Sequence, residues 1–238
     1  MLHFKFYFYA EYASRSSVLF VVSLIRHGQS LNNALPDSQR VDDPGLTDLG
    51  KRQAEHLGYW QPELPVQHLF CSPFLRSLET TVPLAAQTGI LPAIRADLFE
   101  QGGCYAGNSS VGKKPRPGMG SEKLAERFPE WEVDPRIAPE GWWHGRQYES
   151  HEEATARAQQ VKQWLEQEVA QQSQHAALVI HADFKERLLE AIMGLVPDEV
   201  IDYPIYNTSI TQLTWDSRRW VPHSINRVAH LPPGLLSH

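Results

Sequence analysis

The residues VLFVVSLI, at positions 18–25, form an apolar run that leads directly into RHGQS at positions 26–30. A single serine interrupts the run, and its richness in Val, Leu and Ile predicts a strand buried in a parallel-type sheet. Arg26 and His27 follow at the carboxyl end of that strand, where open α/β sheets place their ligand sites. Gly28 lets the backbone turn away at once and leaves room for a ligand beside the imidazole. This order of residues predicts an anion site that contains a nucleophile.

Further apolar runs alternate with helical patterns along the rest of the chain. Helices are expected behind the capping residues Thr47, Ser72 (with Pro73 at the first helical position), Ser150 and Asp183, and glycines at 89 and 194 are expected to end two of them. Because strands and helices alternate, the sequence predicts an α/β domain with a mainly parallel sheet. The further strands are predicted at 66–71, 94–99, 176–180 and 208–215.

The chain is predicted to hold one domain, from 18 to 215. Within it, residues 101–149 are dense in glycine and proline, which predicts a lid or insertion with one short helix near 121–128. Residues 216–238 are predicted to be a C-terminal tail that wraps the surface or is loosely ordered. In the extension 1–17, alternating phenylalanines are typical of an extra edge strand, and an over-long start is an equally good interpretation.

Composition limits the classes of function. The net charge of −6 gives no support for nucleic-acid binding, and no apolar run is long enough to span a membrane. The two cysteines, Cys71 and Cys104, do not make a disulfide framework and fit a reducing compartment. No small-residue cleavage site follows the run at 18–25, so we expect a cytoplasmic protein with neither a nucleic-acid nor a membrane partner. Composition does not predict the oligomeric state.

Charged side chains stand where several predicted elements meet. Arg26 and His27 end one strand, Glu100 ends another, His181 ends a third, and Arg76 lies in the first turn of a helix that follows a strand. We expect these positions to share one edge of the predicted parallel sheet. Arginine meets phosphate oxygens with a rigid fork of donors, and a neutral imidazole is a good nucleophile at pH 7. The set therefore predicts phosphoryl transfer in which cationic side chains, and no metal, supply the positive charge.

The motifs resemble those of the histidine phosphatase superfamily, which is also called phosphoglycerate-mutase-like. The resemblance covers about residues 18–215 and implies an α/β three-layer sandwich with helices on both faces of a mainly parallel sheet. The matching segments are LIRHGQS with Asn33 (24–30 and 33), LTDLGKRQA (46–54), SPFLRSLET (72–80), Glu100 and VIHA (179–182).

The resemblance implies a role for each matching residue. His27 would become phosphorylated, while Arg26, Arg76 and His181 would hold the phosphoryl group and stabilise its transition state. Glu100 would protonate the leaving oxygen and later serve as base for the attacking water. Gln29, Asn33 and Ala182 would line the substrate pocket, and no cofactor is implied.

Two departures from the family pattern favour the phosphatase branch. The segment FEQGGCY (99–105) does not resemble the Glu-Arg-His-Tyr-Gly segment of the mutases, and the loop after Ser30 lacks their Phe-x-Gly-Trp-x-Asp pattern. The sequence thus predicts a phosphomonoester hydrolase that acts on a small phosphorylated metabolite. A phosphoglycerate-type mutase and a non-catalytic phosphate-binding or scaffold protein are the alternatives, and retention of both His27 and Glu100 disfavours the scaffold.

Some other residues have more than one interpretation. Glu79, on the helix that carries Arg76, is expected to be a surface or pairing residue and is the second choice for the acid. Three lid tryptophans pack the lid or touch substrate, and three lid cations form a solvated turn or attract a multiply charged substrate. These residues are Trp131, Trp142 and Trp143, and Lys113, Lys114 and Arg116.

Overall fold

The computed structural model describes residues 19–60, 62, 65–107, 112–195 and 204–238, and the extension 1–17 lies outside them. Seven of the strands in these residues form one central sheet, and the other two pair in a small ribbon. In chain order the strands are β1 (Phe20–Arg26), β2 (His68–Cys71), β3 (Ala93–Ile94), β4 (Tyr105–Ala106), β5 (Lys114–Pro115), β6 (Glu132–Val133), β7 (His175–Ile180), β8 (Ile210–Trp215) and β9 (Trp220–Arg227).

The central sheet is mainly parallel, as predicted. Its order is β6-β3-β2-β7-β1-β8-β9, and all neighbours from β6 to β1 run parallel. β8 is antiparallel to β1, and β9 is antiparallel to β8. The register pairs Arg26 with Ile180 and Cys71 with Val179, so β1, β7 and β2 end at one edge of the sheet. The residues that follow these strands therefore meet at that edge.

The helices begin and end at the residues that local chemistry favours. The side chain of Thr47 caps one helix by accepting from the Gly50 N–H, and Ser150 forms a capping box with Glu153. Two helices end at glycines with left-handed backbone, Gly89 and Gly194. The helices are α1 (Leu31–Ala34), α2 (Asp48–Gly58), α3 (Leu75–Thr88), α4 (Ser121–Arg127), α5 (His151–Trp164, continued by a π-helical turn, Leu165–Val169, and an α-helical turn, Ala170–Gln172) and α6 (Ala182–Met193), with 3₁₀ turns at Asp37–Gln39 and Pro233–Leu235.

Helices cover both faces of the sheet and give the three layers that the resemblance implied. Alternate residues of a strand point to opposite faces, so β1 contributes to two cores. Ile25 packs in the same cluster as Leu57 of α2 and Leu78 of α3. Leu24 packs in the other cluster with Val161 of α5 and Leu188 of α6.

The structure differs from the predicted elements in several places. The strand predicted at 94–99 covers only Ala93–Ile94, and the rest is loop leading to Glu100. Helix α3 begins at Leu75, not behind Ser72, and α6 is preceded by His181 as its capping residue, with Asp183 inside the first turn. The predicted tail contains β9, an edge strand whose pattern the sequence analysis missed. None of the helices in the described ranges is long and apolar enough to cross a membrane.

The glycine after His27 has a structural reason that differs from the predicted one. A Cβ on Gly28 would lie 2.7 Å from the carbonyl oxygen of Gly50, and a Cβ on Gly50 would lie 2.0 Å from that of Gln29. Both positions must therefore lack a side chain so that the first turn of α2 can pack against the loop that follows β1.

Candidate active site

A cleft of about 340 Å³ opens at the edge of the sheet where β1, β2 and β7 end. Its inner wall, which we call the floor, carries Arg26, His27, Arg76 and Glu100, with Phe74 beside them. The sequence analysis named four of these five side chains. Cationic groups on the floor match an anionic ligand of small-molecule size.

The imidazole of His27 is held in one tautomer. Its Nδ1 lies 2.7 Å from the carbonyl oxygen of Gly28, which can only accept, so Nδ1 carries the proton. The opposite nitrogen, Nε2, accepts from the Nε–H of Arg76 at 3.1 Å. Burial, followed by the charges of Arg76 and Arg26, lowers the pKa of His27 well below its ordinary value. His27 is thus a neutral imidazole with its lone pair on Nε2, the form that can attack phosphorus.

The two floor arginines are fixed by backbone and aromatic contacts. The Nη1 of Arg26 donates to the Ile205 carbonyl, and its backbone N–H donates to Ser209. Burial lowers the pKa of Arg26 to about 10, which leaves it charged at neutral pH. The guanidinium of Arg76 lies 3.9 Å from the centroid of the Phe74 ring. Both cations are therefore preorganised before any ligand arrives.

A carboxylate from a distant loop caps the helix that carries Arg76. The Oδ1 of Asp43 accepts from the Leu75 N–H at 2.9 Å, although the two residues are 32 positions apart. Burial raises the pKa of Asp43 to about 6, against the opposing effects of Arg76 and this hydrogen bond. Phe74, the residue before α3, makes no side-chain capping hydrogen bond, and the carboxylate of Asp43 caps the helix instead.

His181 lies behind His27 and does not itself line the cleft. The two rings meet edge to face with centroids 5.0 Å apart, and His181 is fully buried. Its Nε2 lies 2.7 Å from the Ser72 hydroxyl, which already accepts from the Phe74 N–H. This favours a proton on Nδ1 of His181, a buried atom with no hydrogen-bond partner among the described residues. Burial and nearby cations lower the pKa of His181 well below its ordinary value.

Glu100 stands at the cleft wall against the start of α6. Its Oε1 accepts from the N–H groups of Gln101 and Phe184, both at 2.9 Å, and its Oε2 has only a 3.4 Å contact with the Asp183 N–H. Burial, and then the Asp183 charge, raise the pKa of Glu100 to about 7, although Arg76 and the backbone donors oppose that shift. A carboxyl group with this pKa can give and take a proton near neutral pH, and Oε2 is the oxygen free to do so.

Of the remaining predicted residues, some line the cleft and others do not. Asn33 and Ala182 line the cleft, but Asn33 also uses its Oδ1 to accept from the backbone N–H and hydroxyl of Ser30. The Gln29 side chain is not on the cleft wall, because its Oε1 accepts from the Thr47 hydroxyl at 2.7 Å. Its predicted place in the pocket is wrong in this structure. Glu79 accepts from the Leu46 N–H and pairs with Arg127, which is the pairing role expected for it.

The mouth of the cleft carries side chains that the sequence analysis largely missed. We call Arg40, Tyr105, Lys113 and Tyr148 the rim. The Nη1 of Arg40 donates to the Tyr105 hydroxyl at 3.1 Å, the two tyrosine rings meet edge to face at 5.3 Å, and Lys113 Nζ lies 3.8 Å from the centroid of the Tyr148 ring. Only Lys113 had been noted, as one of three lid cations. Arg40 and Tyr148 lie outside helices and strands, and Tyr105 lies in a two-residue strand that is too short to show a hydrophobic period. The buried Trp142 and Trp143 pack against Phe99, and Trp142 also packs against Phe74, so they join the lid to the core and do not line the cleft.

The C-terminal residues help to hold the loop that carries His27. Gln53 accepts from the Gln29 N–H and donates to the Leu235 carbonyl and the Ser237 hydroxyl. The Ser237 hydroxyl in turn donates to Asn207, whose side-chain amide donates to the His27 carbonyl at 3.0 Å. The tail predicted to wrap the surface is therefore part of the support beneath the floor.

Comparison with known proteins agrees with this geometry. A family model described as histidine phosphatase superfamily (branch 1) matches residues 22–228. The chain belongs to this superfamily. In the part of the chain that the structure describes, no three His, Cys, Asp or Glu side chains are grouped so that they could hold a metal ion.

Individual relatives include both mutases and phosphatases. "Probable phosphoglycerate mutase GpmB" of Erwinia tasmaniensis is 26% identical over 216 residues, which cover 88% of this chain and 94% of that protein. The PE-PGRS family protein PE_PGRS11 of Mycobacterium tuberculosis is 36% identical over 83 residues, but these span only 34% of this chain and 14% of that protein. The structure of a mycobacterial glucosyl-3-phosphoglycerate phosphatase superposes with a TM-score of 0.60 at 23% identity, covering 88% of this chain and 100% of that one.

Proposed function

We propose that the protein hydrolyses phosphomonoesters through a phosphohistidine intermediate on His27. The observation that carries the proposal is the neutral imidazole of His27, whose Nδ1 is tied to the Gly28 carbonyl and whose Nε2 faces a cationic cleft. Because Nε2 accepts from Arg76 in the free protein, substrate binding has to transfer that hydrogen bond to a phosphoryl oxygen. The same arginine then stabilises the charge that builds up on the transferred group.

In the first step, His27 Nε2 forms a bond to phosphorus as the ester P–O bond breaks. The leaving oxygen takes the proton from Glu100, which becomes a carboxylate. In the second step, a water molecule attacks phosphorus, its proton passes to Glu100 and the P–N bond breaks. Phosphate leaves, and both His27 and Glu100 return to their starting states. Arg26 and Arg76 stabilise the phosphoryl oxygens in both transition states, and His181 supports the ring of His27 from behind.

The substrate is proposed to be a small phosphorylated metabolite. The cleft volume of about 340 Å³ suits a molecule of this size, and the rim brings two cations to its mouth. A structurally similar protein is named for its action on glucosyl-3-phosphoglycerate, which supports a phosphorylated small molecule as the class.

A mutase is the second candidate, and the similarity to GpmB over most of the chain favours it. In a mutase the phosphoryl group on His27 would return to another hydroxyl of the substrate, and no water would enter. The missing mutase segments around Glu100 and after Ser30 argue for hydrolysis.

The decisive experiment measures phosphate release and phosphate migration side by side. The purified protein, in excess chelator, is incubated with a panel of phosphorylated metabolites and with 3-phosphoglycerate. We expect release of inorganic phosphate from panel members and an acid-labile, base-stable phosphate on His27 in quenched enzyme. Migration of phosphate without release would establish the mutase. Loss of activity that a divalent ion restores would contradict metal-independent hydrolysis.

A further inference from the structure

The guanidinium of Arg157, on α5, is buried where four parts of the chain meet. Its Nε and Nη2 donate to the two carboxylate oxygens of Glu149, both at 2.7 Å. Its Nη1 donates to the carbonyl oxygens of Asp97 and Phe99, at 2.9 and 3.1 Å. The plane of the group is also covered by two aromatic rings, Phe99 at 3.6 Å and Phe184 at 3.9 Å. Such a fork of donors fixes its partners more tightly than a lysine could.

Two of these partners, Phe99 and Phe184, are neighbours of Glu100. Phe99 directly precedes Glu100 in the chain, and Phe184 supplies the N–H that holds Glu100 Oε1 at 2.9 Å. Arg157 therefore contacts the backbone that carries Glu100 and the residue that anchors its side chain. It does not line the cleft, so it acts on the reaction through the residues that it holds and not by contact with substrate.

The lid is joined to the same point. The insertion at 101–149 begins directly after Glu100 and ends at Glu149, whose N–H donates to the Gly102 carbonyl at 3.2 Å. Glu149 is also the neighbour of Tyr148, a rim residue. Both ends of the lid are thus tied together beside Arg157.

We propose that the Arg157–Glu149 pair is a positioning unit for Glu100, which couples the lid to the proton-transfer step. The inference rests on the proposed function, because it assumes that Glu100 donates the proton to the leaving oxygen. Its consequence is specific: loosening the pair should damage the proton-dependent step and spare attack by His27.

The test compares Arg157→Lys and Glu149→Gln with the matched control Arg95→Lys. Arg95 also forks onto a carboxylate, that of Asp97, at 3.0 and 2.7 Å, and stacks 3.6 Å from Trp164. Arg157 bonds to the backbone carbonyl of Asp97 instead, and among the described residues no hydrogen bond or ring contact joins Arg95 to Glu149, Phe99 or Phe184. For each variant, kcat/KM is measured with an alkyl phosphate, which needs the proton, and with an activated aryl phosphate, which hardly needs it. Thermal unfolding is recorded so that all assays are made well below the melting range.

We expect the alkyl-to-aryl ratio to fall by about tenfold or more in both variants, since a misplacement of about 1 Å can cost on the order of 100-fold. The control should leave the ratio unchanged. Equal losses on both substrates in folded protein would assign Arg157 a general structural role and overturn the proposal, as would an unchanged ratio.

Hydrogen exchange gives a second readout that needs no activity. Arg157→Lys should speed exchange in peptides that cover 99–103 and 182–185, and Arg95→Lys should not. Unaltered exchange there would overturn the positioning role even in a protein with no phosphatase activity. Conversely, exchange can be faster in Arg157→Lys although the protein forms no phosphohistidine. That result would support the positioning unit and contradict only the proposed function.

Discussion

The floor and the rim of the cleft are built in different ways. The floor residues Arg26, His27 and Arg76 are at most 8% exposed, and backbone groups or buried rings hold each of them. The rim residue Tyr148 is 40% exposed. Arg40, Tyr105 and Lys113 are held by side-chain contacts with one another and with Tyr148, and Arg40 also pairs with Asp37 at 3.3 Å. The floor is fixed before a ligand arrives, as the proposed phosphoryl transfer requires, whereas we expect the rim to adapt to the part of the substrate that does not react. Mutations in the two regions should therefore act on different kinetic constants.

Substitution of His27 on the floor is expected to reduce activity more than any other change. His27→Ala deletes the atom proposed to bond to phosphorus, so kcat should fall by about 10,000-fold or more. The variant should also carry no acid-labile phosphate after quenching. His144→Ala, an exposed lid histidine, is the control and should keep normal turnover. A normal rate from His27→Ala would exclude covalent catalysis at this residue.

Loss of a floor arginine should come next in size. Arg76→Ala removes a donor aimed at the transferred group, and removal of one such donor typically costs about 100- to 1,000-fold in kcat. Alkyl and aryl phosphates should suffer alike, since both develop charge on the phosphoryl oxygens. Arg52→Ala, on the exposed side of α2, controls for the loss of a positive charge. A change confined to KM would show that Arg76 contributes to substrate binding and not to stabilisation of the transition state.

The effect of Glu100→Gln should depend on the leaving group. General acid catalysis typically contributes about 100- to 10,000-fold, so hydrolysis of an alkyl phosphate should slow by that order. Formation of phosphohistidine from an aryl phosphate should be nearly normal, and phosphoenzyme should accumulate because the water has lost its base. If both substrates slow little and equally, Glu79→Gln is the next variant to measure.

The pH dependence should separate the two chemical steps. Glu100, with a pKa raised to about 7, is ionised above that pH and can no longer protonate an alkyl leaving group. Phosphorylation of His27 by an alkyl phosphate should therefore fall about tenfold per pH unit above about 7, while hydrolysis of phosphohistidine should fall below it. His27 should add no limb near neutral pH, because its pKa is well below the ordinary value. Rapid-quench measurements on Glu100→Gln should lack both limbs; limbs that persist would belong to another group.

The smallest effect is expected at the rim. Lys113→Ala and Arg40→Ala remove solvent-accessible charges, whose interactions are typically worth about 0.2–1 kcal/mol, or about 1.4-fold to fivefold. For a substrate with a second anionic group, KM should rise by this factor, more at low salt than at high salt, and kcat should hold. An aryl monophosphate should not respond. A large drop in kcat would instead show that these rim residues take part in the chemical step, as the floor residues are proposed to do.

The sequence could predict the floor because the fold itself puts those residues together. Parallel strands end at one edge, so Arg26, His27 and His181 had to meet once β1 and β7 were identified. Glu100 was also predicted, although its strand proved to be loop and helix α6 positions its carboxylate. The pattern of β9 was missed because apolar and polar residues alternate only weakly along this edge strand. The strand also contains Pro222, and the turns on either side of it hold no glycine to mark its ends.

The rim and the supports of the floor could not be predicted in this way. Arg40 and Tyr105 are 65 positions apart and meet through a side-chain contact that no local period encodes. Gln29 was misplaced for the same reason, because its partner Thr47 belongs to another element. Contacts of this kind depend on how irregular loops pack, and hydrophobic periodicity says nothing about them.

The link between Ser237, Gln53 and Asn207 means that a substitution more than 200 positions away along the chain can reach the loop that carries His27. Ser237→Ala would remove one hydrogen-bond partner each from Gln53 and Asn207, which brace that loop. We expect this variant to have a lower specific activity while secondary structure, followed by circular dichroism, remains intact.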